Sequence, residues 1–156
     1  MERGQVPSTS EQSGRVVTVL EVSPFESDHT ALRQIFSHSK WLMHTATSCA
    51  EAASVLKRNP ISVVMCEREL PDGTWKDILD QVMRSHNPPP LIVTCRLADD
   101  ELWAEVLNLG GYDVLRKPFN QSEVFRDVSL AWLHWKHQQG KSRHAPEKPK
   151  VAGGVG

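Results

Sequence analysis

An α/β domain built on a parallel sheet is the fold class that this sequence predicts, and three observations predict it. Short apolar runs recur along the chain, as in Val17-Thr18-Val19-Leu20, Val63-Val64-Met65-Cys66 and Leu91-Ile92-Val93. Segments with apolar residues at helical spacing separate them, which is the pattern of repeated strand-helix units. The chain has 156 residues, 39% apolar, enough for one domain with a real core and too few for two ordinary ones.

Strands are expected near 16–21, 41–46, 61–66, 90–95 and 112–115. Between them the helical signals are Leu32, Ile35 and Phe36; Ala52, Ala53, Val55 and Leu56; Ile78, Leu79, Val82 and Met83; and Leu102, Val106 and Leu107. Ser48 followed by Glu51 reads as a capping box, and Asn59-Pro60 as the end of the helix it opens. A last helix from about Gln121 carries Val124, Phe125, Val128, Leu130, Ala131, Trp132, Leu133 and Trp135. Residues 1–14 and 138–156 hold too little apolar surface to offset the entropy of ordering them, so the expected organisation is a disordered N-terminal segment, a domain over 15–137 and a disordered basic tail. That tail carries Lys141, Arg143, Lys148 and Lys150 against Glu147, without aromatic interleaving, and reads as solubilising rather than as a nucleic-acid contact.

The formal net charge is −1, which gives no electrostatic argument for a nucleic-acid or membrane partner. Cys49, Cys66 and Cys95 are odd in number and lack metal-ligand spacing, so a reducing, cytoplasmic setting is expected rather than a disulfide framework. No segment approaches the roughly 20 apolar residues of a membrane span, and the first residues do not look like a secretion signal. The His residues show no HExxH pattern; His134 and His137 share helical spacing and read as surface residues.

Several separated motifs, in order, carry a family resemblance. The run Val63 to Cys66 ends in Glu67, followed by Arg68-Glu69-Leu70-Pro71-Asp72-Gly73; Glu21 closes the first apolar run; and Gly111-Tyr112-Asp113-Val114-Leu115-Arg116-Lys117-Pro118-Phe119 ends in Lys-Pro-Phe. From about Val16 to His137 the chain resembles bacterial response-regulator receiver (CheY-like) domains, as an atypical, degenerate member. The resemblance implies a flavodoxin-like, doubly wound (βα)5 three-layer sandwich with five parallel strands in the order 2-1-3-4-5. Ligands in such sheets bind beyond the C-terminal strand ends, where Glu21, Glu67, Cys95 and Lys117 all fall.

In typical receivers two adjacent acids hold Mg²⁺, a central Asp takes the phosphoryl group, a Ser or Thr on the fourth strand binds it and a Lys pairs with it. Here the resemblance puts Glu21 at the first acid, Val22 at the second, Glu67 at the phosphoacceptor, Cys95 at the hydroxyl position and Lys117 at the lysine. The fifth-strand aromatic is Val114, and the Lys117-Pro118 bond is expected to be cis. Mg²⁺ demands near-octahedral oxygen ligands, so the vestigial site of Glu21 and Glu67 is expected to bind it weakly or not at all, leaving no cofactor. Glu67 carries an extra methylene that displaces its carboxylate by about 1.5 Å, and in-line attack tolerates little misplacement. A standing Glu67–Lys117 ion pair is expected instead.

The function so implied is that of a stand-alone, phosphorylation-independent interaction module in two-component signalling, not an enzyme and without an output domain. The alternative is a working phosphoacceptor that catalyses its own phosphorylation at Glu67 or at nearby Asp72. Partners would be a histidine kinase or another regulator, with homodimerisation through the fourth and fifth helices. Trp103, Trp132 and Trp135 are the interface candidates, provided they are exposed. A nucleotide-binding module is disfavoured, since no Gly-rich phosphate loop follows any strand. Thr94 is set aside in favour of Cys95 because strand alternation would point it to the opposite face.

Overall fold

The computed structural model describes residues 16–144. The expected disordered segment at 1–14 and the end of the chain beyond His144 lie outside the described residues.

Five strands form one parallel sheet: β1 (Thr18–Val22), β2 (Leu42–Ala46), β3 (Val63–Glu67), β4 (Leu91–Cys95) and β5 (Asp113–Arg116), in the order β2-β1-β3-β4-β5. The sheet has the expected flavodoxin-like order, and every expected strand is present. Every residue of β1, β3 and β4 is buried, which is why these strands read as continuous apolar runs rather than as alternation. A two-residue hairpin, Glu69–Leu70 with Gly73–Thr74, follows β3.

Helices α1 (Glu26–Phe36), α2 (Cys49–Arg58), α3 (Trp75–Met83), α4 (Asp100–Leu109) and α5 (Gln121–His144) cover the two faces. On one face Leu20, Val22, Val64, Cys66, Val93 and Cys95 pack against α2, α3 and α4. On the other, Val19, Val63, Met65, Ile92 and Leu115 pack against α1 and α5 through Leu32, Phe36, Val124, Val128 and Ala131. The strand period of two therefore decides which side chain meets which layer.

The helix starts are fixed by polar side chains. Ser48 accepts from the Glu51 amide as expected, but the Glu51 carboxylate reaches the Thr47 amide at 2.7 Å instead of closing the reciprocal box at Ser48. A full capping box occurs at α3, between Thr74 and Asp77. Asp99 caps α4, and Gly110, with φ 109°, ends that helix in the left-handed region that favours glycine. Helix α5 runs past His137 to His144, so the expected boundary of an irregular tail at 138 is too early. Among the described residues no helix is long and apolar enough to cross a membrane.

Candidate functional site

The C-terminal ends of β1 and β3, the loop into α1 and the end of β5 meet around one ammonium group. Lys117 Nζ lies 2.8 Å from Asp28 Oδ2, as a hydrogen bond and ion pair. It lies 2.6 Å from Glu67 Oε1, at an angle outside hydrogen-bond geometry, so that contact is an ion pair. The three side chains are 6%, 8% and 11% exposed. The expected pairing of Glu67 with Lys117 is present, and Lys117-Pro118 is cis.

Asp28 is the functional residue that sequence reasoning missed. It lies in the first turn of α1, one helical turn before Leu32, on the face that Leu32 and Phe36 bury. That placement, an acid in register with an apolar stripe, was the available signal. Ser23 Oγ donates to Asp28 Oδ2 at 2.7 Å, while the Phe25 amide donates to Ser23 Oγ and His29 Nε2 contacts the Ser23 carbonyl at 2.9 Å. The turn between β1 and α1 is thus tied to the carboxylate that holds Lys117. Above it the Phe25 ring lies 4.9 Å from Nζ, a cation–π contact at the mouth of the site.

Glu21 and Val22 diverge because successive strand residues face opposite layers. Val22 belongs to the apolar core beneath α2–α4. Glu21 lies completely buried on the α1 side, and neither carboxylate oxygen has a hydrogen-bond partner. Burial first, then repulsion from Asp28, pushes its carboxyl well above the usual range, with Lys117 opposing. Glu21 is therefore held toward its neutral form.

The pairing is unequal at its two ends. Burial pulls the Lys117 ammonium toward losing its proton, but hydrogen bonding to Asp28 and contact with Glu67 outweigh this and raise its pKa. At Glu67 burial dominates and raises the carboxyl, with Lys117 only partly offsetting it. Lys117 keeps its charge, and Glu67 is the softer partner. Among the described residues no three His, Cys, Asp or Glu side chains are grouped to hold a metal ion.

Strand pairing revises the reading of the fourth strand. Thr94, not Cys95, is the register partner of Glu67, and its buried Oγ1 has no partner. Cys95 belongs to the opposite core layer; burial first, then the Glu67 charge, raises its thiol pKa. Such a thiol is less available as thiolate than a free cysteine. Val114 is half-buried and, with Trp103 and Arg116, lines an open cleft of about 610 Å³ between α4 and the start of α5.

Asp72 has a structural employment. Its Oδ1 accepts from the Cys49 amide at 2.7 Å and its Oδ2 from the Ala50 amide at 3.1 Å, so it caps α2 from across the fold. These bonds, led by that from Cys49, hold its carboxyl below the usual range. Gly73 follows because a Cβ there would lie 2.5 Å from Asp77 Oδ2 and 2.9 Å from Cys49 Sγ.

Of the tryptophans, Trp103 meets the condition of exposure at 50%, with its indole donating to Asp113 at 3.1 Å. Trp132 is half-buried against the α1–α5 core, and its indole nitrogen has no partner. Trp135 is buried at the foot of the sheet, where it donates to the Asn87 carbonyl at 3.4 Å, so it is corrected from interface candidate to core residue.

Comparison with known proteins bears on the whole arrangement. The profile of the response regulator receiver domain matches residues 26–129. The probable transcriptional regulatory protein TcrX of Mycobacterium tuberculosis is 33% identical over 117 residues, covering 71% of this chain and 47% of TcrX. The transcriptional regulatory protein DpiA of Escherichia coli is 25% identical over 99 residues, covering 58% of this chain and 43% of DpiA. This chain thus spans less than half the length of either regulator. In fold it is similar to the signal receiver domain of a putative LuxO repressor protein from Vibrio parahaemolyticus, with a TM-score of 0.73 at 20% identity over 80% of this chain and 95% of that one. The receiver domain of an HD domain-containing protein from Pseudomonas fluorescens gives 0.74 at 22% identity, over 81% and 94%. The chain belongs to the response regulator receiver domain family, the receiving modules of two-component signalling.

Proposed function

We propose that this receiver works without phosphorylation, as an interaction module held in one state by its own charges. The observation that carries the reading is the placement of Lys117 Nζ between Asp28 and Glu67, 2.8 and 2.6 Å away, with all three side chains almost fully buried. In receivers Mg²⁺ sits at the phosphorylation site and gathers carboxylate and phosphoryl oxygens. Here the ammonium already claims one oxygen each of Asp28 and Glu67, Glu21 is held toward neutrality, and Val22 contributes no oxygen. This donor set does not fit a near-octahedral Mg²⁺ site. The lysine supplies the local positive charge instead, as a compact cation with three donors.

The geometry also disfavours acyl-phosphate formation. Glu67 Oε1 is engaged by Lys117, its carboxyl is drawn toward protonation, and Phe25 stands over the ammonium. Asp72 offers no substitute acceptor, since both oxygens take helix amides. The cleft beside Val114 has no aromatic side chain from that position to report a change at Glu67.

The partner-facing surface of this reading is formed by α4 and α5. Trp103 and Leu107 lie one turn apart on α4, and Leu130 and Leu133 are exposed on α5. A second copy, a histidine kinase or another regulator would dock there; nucleic acid is not the expected partner. The test is an amide NMR spectrum recorded with Mg²⁺ and a small-molecule phosphodonor. An unmoved spectrum is expected. Shifts centred on Glu67 and propagating to α4 would overturn the reading in favour of a phosphorylation switch.

A further inference from the structure

Asp28 faces Lys117 instead of capping its own helix, and one buried hydroxyl accounts for the choice. Helix α1 starts at Glu26 after Phe25, which offers no side-chain cap. Asp28 is therefore the third residue of the helix, the position from which an acid ordinarily reaches back to the amide at the helix start. Helix α3 has that arrangement: Asp77, third in its helix, accepts from the Thr74 amide at 2.9 Å. In α1 the corresponding amide, that of Phe25, donates to Ser23 Oγ at 3.1 Å instead. The same Oγ donates to Asp28 Oδ2 at 2.7 Å, and that oxygen also takes the Lys117 ammonium at 2.8 Å.

We propose that Ser23 is the positioning residue of the Lys117 site: by occupying the Phe25 amide and donating to Asp28, its hydroxyl turns the carboxylate from the start of α1 toward the ammonium. Without that hydroxyl the Phe25 amide is free, Asp28 closes on it as Asp77 closes on Thr74, and Lys117 is left to Glu67 alone.

The rest of Ser23 is pinned. It is completely buried, its amide donates to the Ala46 carbonyl at 2.9 Å, and His29 Nε2 lies 2.9 Å from its carbonyl oxygen. A carbonyl only accepts, so Nε2 carries the proton, and the buried His29 ring fixes the serine from the α1 side. Phe25 depends on the same hydroxyl, since Oγ holds its amide while its ring lies 4.9 Å from Lys117 Nζ. Both groups that the β1–α1 turn presents to the ammonium are thus aimed by one side chain. The inference rests on the reading of a site held in one state by its own charges, and it names what keeps two acids rather than one on the lysine.

The test follows the Lys117 ammonium protons by nitrogen-resolved NMR near neutral pH, assigned by their loss in Lys117→Met. In Ser23→Ala their exchange with water should rise roughly tenfold or more, the factor for losing one hydrogen bond to a charged group, while the Phe25 amide stays protected by its new acceptor. Because Ser23 acts through Asp28, Asp28→Asn should give a similar rise, and Ser23→Ala added to it should give no further one. Should Ser23→Ala fold poorly, Ser23→Cys, whose thiol is a weak donor, must raise the rate in the same direction. Unchanged ammonium exchange in the serine variant, an equal rise on top of Asp28→Asn, or a Phe25 amide that loses its protection would each overturn the proposal. A phosphoryl adduct on Glu67 would contradict the reading of the site but changes none of these comparisons, so the two failures are distinguishable.

Discussion

Replacing Lys117 by Met removes the ammonium while keeping most of the side-chain volume. The carboxylates of Asp28 and Glu67, 8% and 11% exposed, then face each other and the buried Glu21 with no cation among them. Exposed pairs are worth about 0–1 kcal/mol, but breaking a buried pair by removing one partner costs about 3–5 kcal/mol, because the remaining charge stays desolvated. The buried case applies here. Each kcal/mol moves the midpoint of a domain this size by about 3–6 °C, so the loss of about 3–5 kcal/mol should lower Tm by about 9–30 °C. The loss should also depend on pH. Burial already raises the Glu67 carboxyl and Lys117 opposes this, so without Lys117 its folded-state pKa lies further above the unfolded value, and the stability it carries is present at low pH and lost as pH rises through the folded value. Urea melts at about pH 5 and about pH 7.5 should therefore show the variant recovering part of its deficit in acid. A loss below about 1 kcal/mol, equal at both pH values, would refute the claim that this ammonium neutralises a buried cluster.

Four further outcomes are expected. Glu67→Asp shortens the acid and withdraws it from Lys117; it should cost about 1 kcal/mol in a urea melt and still yield no phosphoryl adduct, since Val22 and Glu21 are unchanged. Asp72→Ala removes the acceptor of the Cys49 and Ala50 amides while the Ser48 cap remains, and should lower the urea midpoint with the slope m unchanged. Gly73→Ala ordinarily stabilises a compatible site by about 0.4–1 kcal/mol, but the clash with Asp77 and Cys49 should reverse the sign, read as a lower Tm. The raised Lys117 pKa implies that its stabilisation is present at neutral pH and persists until pH rises beyond the ordinary lysine range, which an alkaline melt series can check against Lys117→Met.

The sheet was legible because β1, β3 and β4 are buried on both faces and so carry unbroken apolar runs. The Glu67–Lys117 pairing was legible because both residues sit at C-terminal strand ends, where such folds converge. Asp28 was not, because an acid in a first helical turn ordinarily serves the helix dipole in solvent. Only its register with Leu32 distinguishes it, and that register matters once the packed face is known. Thr94 was misplaced for a related reason. The side of a strand that a residue faces depends on pairing register, and one position of slip exchanges Thr94 with Cys95. Trp135 reads equally as core or surface from helical spacing, and only the course of the segment around Asn87 buries it. Asp72 illustrates the complementary case, in which an acid beside a phosphoacceptor motif is consumed by the amides of a helix distant in sequence.

The central claim is that Lys117, with Asp28, has replaced phosphorylation chemistry at Glu67 by a permanent ion pair. Intact-mass spectrometry after incubation with a small-molecule phosphodonor, with and without Mg²⁺ and beside a typical receiver as positive control, tests it most directly. The expected result is an unmodified mass under both conditions while the control gains a phosphoryl group. An adduct that requires Mg²⁺ and disappears in Glu67→Gln would contradict the account and make Glu67 a working phosphoacceptor.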